Sequence, residues 1–240
     1  MYNFWNTIIY YNSATWPIQI VITILGIVLT ALLIRKPSRG IRLAMKIYMI
    51  TLYSWVSIAY YLIYSDQRNH NDVMAIFWGV MALTWLWDAT TKYTSFVRTH
   101  KYDAVAYLLL AMPIVYPLIS LARGLSFPAM TSPIMPSSVV VFTLGILLLF
   151  ARKVNMLLVL FLSHWTLIGL SKTLLFKIPE DFLMALATLP ALYIFFRENF
   201  LHDLKVETKP KAIHINYLLI AVFVGLALLL IAGMCTSAVA

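Results

Sequence analysis

A chain of 240 residues that is 62% hydrophobic and only 11% charged, with a mean hydropathy of +0.86, does not have the makings of a soluble domain, which carries about 25% charged residues to stay solvated. Its net charge of +9 is laid out in short clusters between apolar runs, a pattern of membrane topology and contact with anionic lipid headgroups rather than of nucleic-acid binding. The single cysteine, Cys235, excludes a disulfide framework or a cysteine metal site within the chain.

In chain order, the first segment, "MYNFWNTIIYYNSATW", offers no basic region and no small-residue cleavage site, as a removable signal peptide would need. Phe4, Trp5, Ile8 and Ile9 recur at helical spacing with Asn3, Asn6 and Thr7 between them. Residues 1–14 are therefore expected to form an interfacial helix, rich in the aromatics that favour the headgroup layer.

Eight apolar runs follow, at about 15–35, 43–64, 73–90, 104–122, 137–150, 154–176, 180–196 and 215–234. A spanning helix needs ~20 mostly apolar residues, ~17 at the least, and only the fifth run falls short. In hydrocarbon every backbone N–H and C=O must be paired within its own segment, so the runs are expected to be helices. The expected fold is an all-α integral membrane protein. Seven core helices occupy residues 15–197, a basic cytoplasmic linker 198–213, and a peripheral eighth helix 214–236. With the N-terminus outside, fourteen of the eighteen Lys and Arg residues fall on the inner side. The positive-inside rule then gives N-out and C-out, and a multi-pass protein of a bacterial cytoplasmic (inner) membrane. Its expected partners are the bilayer itself, anionic lipids at the basic inner loops, and a small solute or ion.

The fifth run is preceded by "SFPAMTSPIMP", which is apolar yet broken by Pro128, Pro133 and Pro136. Proline lacks a donor and keeps the residue before it out of the α region, so this stretch is expected to be non-helical. Irregular backbone at membrane depth must be buried in protein or line a wet cavity. Either it is a re-entrant loop whose half-helix, capped by Ser137 or Ser138, points its positive end at a ligand, or it is an outer loop packed on the bundle. His164 is the only ionisable residue near the middle of a run, a costly position that marks either a functional site or a satisfied interhelical hydrogen bond. Thr51, Ser54, Ser57 and Tyr61 follow at i, i+3, i+6 and i+10 and are expected to share one helix face. Either that stripe lines a cavity or it permits close packing. Pro113 and Pro117 share a face of the fourth helix and free carbonyls there. Asp88 and Lys92 make an ordinary i,i+4 pair, and Pro179, Glu180 and Asp181 form a helix start. The candidate ligand-binding set is His164, Ser137, Ser138, Tyr60, Tyr61, Ser54, Trp165 and Tyr116. No catalytic motif, paired carboxylates within a span, metal-ligand cluster or cofactor motif is found in the sequence.

The order "YNSATWPIQ", "YSWVSIAYYLIYSDQRNHNDVMAIFWGVMAL", "YPLI", "FTLGILLL" and "HWTLIGLSKTLLFKIPEDFLM" resembles an uncharacterised bacterial polytopic membrane family, domain of unknown function 6064, from about Phe4 to Tyr193. Trp165, Gly169, Pro179, Glu180 and Asp181 fall where that pattern has them. The resemblance implies a seven-helix membrane core of unassigned activity. This chain reads Tyr60-Tyr61 where the family has Tyr-His, and Met135-Pro136 where it has Cys-Pro. The expected function is binding or transport of a small solute or ion through an outward cavity formed by the fifth helix, His164 and the second helix. A dry-bundled sensor or assembly component is the alternative, and a membrane enzyme the third.

Overall fold

The computed structural model describes residues 2–65, 71–98, 100 and 102–176, together with 188, 192 and 195. The chain divides into two compact units, Met1–Leu158 and Val159–Ala240. The first contains helices α1 (Tyr2–Arg35), α2 (Arg39–Trp55), α3 (Asn71–Thr91), α4 (Asp103–Ala122) and α5 (Pro136–Phe150). Strands β1 (Ser95–Phe96) and β2 (Ala151–Lys153) pair antiparallel, a ladder that a purely helical expectation leaves out. Helix α6 (Met156–Phe176) begins in the first unit and runs into the second. Within it, Ser163 and Thr166 hydroxyls donate to the carbonyls of Val159 and Leu162, which satisfies them inside an apolar helix.

Among the described residues, four helices are long and apolar enough to cross a membrane: Phe4–Arg35, Arg39–Ile63, Asn71–Thr91 and Asp103–Ala122. Their outward faces carry large apolar side chains, such as Ile20, Val21, Ile24, Ile76, Leu83 and Leu118, all exposed. Apart from Thr188, Leu192 and Phe195 of the seventh, the expected seventh and eighth helices, with Pro179, Glu180 and Asp181, lie outside the described residues.

The fifth helix is set apart by its burial. Thirteen of its fifteen residues are buried, and a helix apolar on every side is a core element rather than a lipid-facing one. It packs on α4, where Gly145 lets the backbones close up: a Cβ there would lie 2.8 Å from Leu110 Cγ and 3.1 Å from the Ala106 carbonyl. On its other side Tyr53 of α2 stacks on Trp78 of α3 at 5.2 Å and donates to Thr143 of α5 at 2.9 Å.

Three sequence expectations need correction. Helix α1 shows no boundary at residue 14, because Ile8, Tyr11, Asn12, Thr15 and Gln19 form one buried stripe that carries the helix through Pro17. The second run does not keep α-helical geometry. Val56–Ile63 is π-helical, with Tyr64 N–H reaching back five residues to the Ala59 carbonyl. The wider turns bury Ala59, Tyr60 and Tyr61 consecutively, while Thr51, in the regular α-helix before them, is exposed, so the expected polar stripe does not share one face. Ser57 of that turn donates to the Ala75 carbonyl at 2.7 Å, and the Asn71 amide donates to the Tyr61 carbonyl.

Asp88, thirdly, does not pair with Lys92, which is exposed with a φ of 55°. Its partner is Lys46 of α2 at 2.8 Å, and both side chains are buried. The other carboxylate oxygen accepts from the Thr94 N–H at 3.0 Å and its hydroxyl at 2.7 Å, and Thr94 in turn accepts from Asn155 N–H. Charge and lone pairs are thus met on every side, the condition under which a buried ion pair is tolerated. Nearby, Arg98 forks onto Asp103 at 2.7 and 2.8 Å and donates to the Leu149 carbonyl at the end of α5.

Candidate functional site

The segment in front of α5 is packed against α1, and side chains take over the pairing that a helix would give its backbone. Asn12 Nδ2 donates to two carbonyls, Pro128 at 2.9 Å and Met130 at 2.7 Å. Tyr11 donates to the Ile134 carbonyl at 3.3 Å and accepts from Trp55 Nε1 at 2.9 Å. Ser120 at the end of α4 meets the Thr131 hydroxyl at 2.9 Å and accepts from its N–H at 3.2 Å. Ser138 donates to the Ser132 carbonyl at 2.9 Å.

The hydroxyl expected to cap a ligand-directed half-helix is therefore committed to closing the loop. Pro136 occupies the first helical position, where its missing N–H costs nothing. Ser137 is half-buried beside it. Of the two readings of the proline-rich stretch, a loop packed on the bundle is the one that these contacts describe.

Between α1 and this loop lies a cleft of about 590 Å³. Helix α1 supplies Asn12, Trp16, Gln19, Thr23 and neighbouring isoleucines; α4 supplies Pro117; the loop supplies Phe127 and Met130–Pro133. No charged residue lines it, and apolar atoms make up nearly all of its wall. Farther in, around Thr23, Pro113 and Pro133, a second cavity of about 40 Å³ reaches toward α2 and α5.

The few polar atoms of the wall have defined orientations. Two carbonyls can be met only by the Asn12 amide nitrogen, so its Oδ1 faces Gln19. Gln19 accordingly presents Nε2, donating to Asn12 Oδ1 at 3.2 Å and Thr15 Oγ1 at 2.8 Å. Its Oε1 is left over and accepts no bond among the described residues. Ser132 Oγ is likewise buried with no hydrogen-bond partner among the described residues. Gln19 and Ser132 are 5% and 7% exposed, and the Ser132 hydroxyl oxygen itself is closed off from the cleft.

The expected site residues are not all brought together. Tyr60 and Tyr61 are buried beside α1, with Tyr60 edge-on to Tyr11 at 5.1 Å and to Tyr61 at 4.9 Å. Ser54 is half-buried on α2, and Tyr116 is buried on α4. None of these four lines the cleft. His164 and Trp165 are buried on the part of α6 that belongs to the second unit. Of the expected structural prolines, Pro117 and Pro133 do reach the cleft wall, and Pro113 the smaller cavity.

Comparison with known families places this cleft in a wider context. A family model, Family of unknown function (DUF6064), matches residues 1–206. The chain belongs to that family. The match takes in every residue of the cleft and stops short of the eighth apolar run. No curated protein and no solved structure matches the chain.

What the sequence analysis missed is the α1 stripe of Asn12, Thr15, Gln19 and Thr23. Its signal was present as a spacing of three, four and four residues. Read as one helix face, those four polar residues could have been assigned to an inward surface.

Proposed function

We propose that this DUF6064 member is a multi-pass membrane protein that binds, and passes on, a small and largely apolar solute through the cleft between α1 and the proline-rich loop. The observation that carries this reading is the cleft itself: about 590 Å³, inside the range of roughly 300–1,000 Å³ typical of ligand pockets, with apolar walls and few polar groups.

Its depth follows from α1. Thirty-four residues make a helix of ~51 Å against a hydrocarbon core of ~30 Å, so part of α1 must project or tilt. Arg35 and Lys36 mark the inner boundary by the positive-inside rule. Counting back ~20 residues reaches Trp16, an exposed aromatic of the kind that sits at headgroup level. Asn12 then lies outside that boundary, while Ile20, Thr23 and Ile24 lie in the outer leaflet. This assignment takes the protein as N-out, with seven core helices and a peripheral eighth, in a bacterial inner membrane.

An ion fits this cleft poorly. Its wall holds no charge, and the loop carbonyls of Pro128 and Met130 already accept from Asn12. His164 remains a candidate in its own right, since an ionisable group midway along an apolar helix is costly to keep without a use.

Cysteine accessibility tests the reading. In a Cys235→Ser background, Thr23→Cys is expected to react with a lipid-soluble maleimide, and Phe127→Cys with an impermeant one added outside. Adding Ile24→Trp should slow labelling at position 23 by filling the cleft. A folded protein in which Thr23→Cys reacts with neither reagent would instead have a dry or filled interior, as expected of an assembly component.

A further inference from the structure

We infer that the first turns of α2 hold the phosphate of an anionic membrane lipid, with the Arg42 guanidinium as its anchor and Arg39 beside it. The site lies at the Arg35 end of α1, away from the cleft, and stands or falls independently of the function proposed above.

Three cations share one face of α2: Arg39, Arg42 and Lys46, at i, i+3 and i+7. They descend from the surface inward, Arg39 exposed, Arg42 half-buried and Lys46 buried. Only the deepest has a carboxylate, and Asp88 is fully committed there. One of its oxygens meets Lys46 at 2.8 Å, and the other accepts twice from Thr94. Asp103 is engaged in the same way by Arg98. The Arg42 side chain is left with no ion pair or hydrogen bond among the described residues. Arg35 and Lys36, just before α2, add two exposed cations to the same turn.

A cation drawn partly out of water without a counter-charge is costly, and an anion supplied from outside the chain removes that cost. Nε of Arg42 is closed off within the protein, but its two terminal nitrogens are not. Those two form the planar fork that accepts a phosphate bidentately. Leu32 of α1 and Leu43 and Ile47 of α2 are apolar and exposed close to the same turn. A phosphate at Arg42 thus has hydrocarbon-facing surface next to it, as the acyl chains of a lipid require. On the N-out assignment its source is the inner leaflet.

The test uses full-length protein in dodecyl maltoside micelles, to which phosphatidylglycerol and phosphatidylcholine with the same chains are added in equal amounts. The lipids retained on the protein are counted by native mass spectrometry. Phosphatidylglycerol should be retained in preference. One basic side chain beside an anionic lipid surface gives about a fivefold preference, so Arg42→Gln should lower the ratio about fivefold and Arg39→Gln somewhat less. Arg42→Lys keeps the charge without the fork and should recover only part of the loss. Arg123→Gln removes the same charge at the other end of α4 and should leave the ratio unchanged. Millimolar glycerol phosphate, the same phosphate without chains, should not displace the lipid.

Equal retention of the two lipids would overturn the site. So would a ratio that falls no further in Arg42→Gln than in Arg123→Gln, or one that Arg42→Lys restores in full, since diffuse positive charge accounts for either. Displacement by glycerol phosphate would overturn the lipid as the source of the phosphate. If Arg42→Gln fails to fold, Arg39→Gln and Arg42→Lys carry the same comparison.

Discussion

Asn12 is the side chain on which the loop in front of α5 most depends, and Asn12→Leu is the most informative single change. The substitution keeps the size and removes three hydrogen bonds: two to the carbonyls of Pro128 and Met130, and one from Gln19. Side-chain hydrogen bonds within membrane bundles average about 0.6 kcal/mol and reach about 1.7. Stranding a buried partner adds to that, at about 1–3 kcal/mol for each group that water cannot reach. The cleft lets some water or ligand reach the Gln19 side, so a total loss of about 2–4 kcal/mol is expected. Reversible unfolding in mixed micelles, followed by the fluorescence of the seven tryptophans, reads this directly. Labelling of Phe127→Cys should accelerate in the same variant, since the loop has lost its grip on α1. Asn12→Asp should do at least as much harm, because it keeps an acceptor and loses both donors. A loss below about 0.5 kcal/mol, with loop labelling unchanged, would refute the idea that Asn12 holds the loop.

Asp88→Ala should cost about 3–5 kcal/mol in the same unfolding assay, because it leaves Lys46 buried and uncompensated; the double change Lys46→Met with Asp88→Leu should recover most of that. Lys92→Ala should stay within about 0.5 kcal/mol, the reverse of what an Asp88–Lys92 pair would give. Gly145→Ala should lose about 1–2 kcal/mol as α5 is pushed off Leu110 and Ala106, despite the gain in helix propensity; a stabilised variant would mean that the two helices part freely. Ser132→Ala should leave the empty protein as stable or up to about 1 kcal/mol more so, since its hydroxyl has no hydrogen-bond partner among the described residues. A marked loss of stability there would point to a structural role for that hydroxyl instead.

Helix positions were legible because apolar length carries them: the second, third, fourth, fifth and sixth runs agree with helical segments to within a few residues. What failed was local and polar. "YYNSATWP" reads as interfacial when its polarity is averaged, yet Tyr11, Asn12 and Thr15 are buried along one face of a continuous helix. The π-helical turn at Val56–Ile63 has no signature in residue type, because it arises where Ser57 and Tyr61 meet α3. Lys46 stands near the start of the second apolar run, where the sequence offers it no partner. A residue 42 positions away that neutralises it is a tertiary fact, invisible to spacing. The proline-rich loop was legible as irregular. Its partners were not, since nothing in the run itself says that Asn12, over a hundred residues earlier, supplies the missing donors.

The short α5 and the long α1 are two halves of one arrangement. Fifteen residues give α5 a length of ~22 Å, about 8 Å less than the hydrocarbon core. Continuing the helix would have closed that gap with self-satisfied backbone, but Pro128, Pro133 and Pro136 forbid it. The loop that stands there leaves carbonyls open, and the N-terminal part of α1 brings Tyr11 and Asn12 to meet them. A folded loop cannot match the smooth side of a helix along its whole length. Where the two surfaces separate, around Gln19, Thr23 and Ser132, the cleft remains. The same prolines that shorten α5 therefore create both the need for the α1 stripe and the space beside it, which is why loss of Asn12 should disturb loop and cleft together.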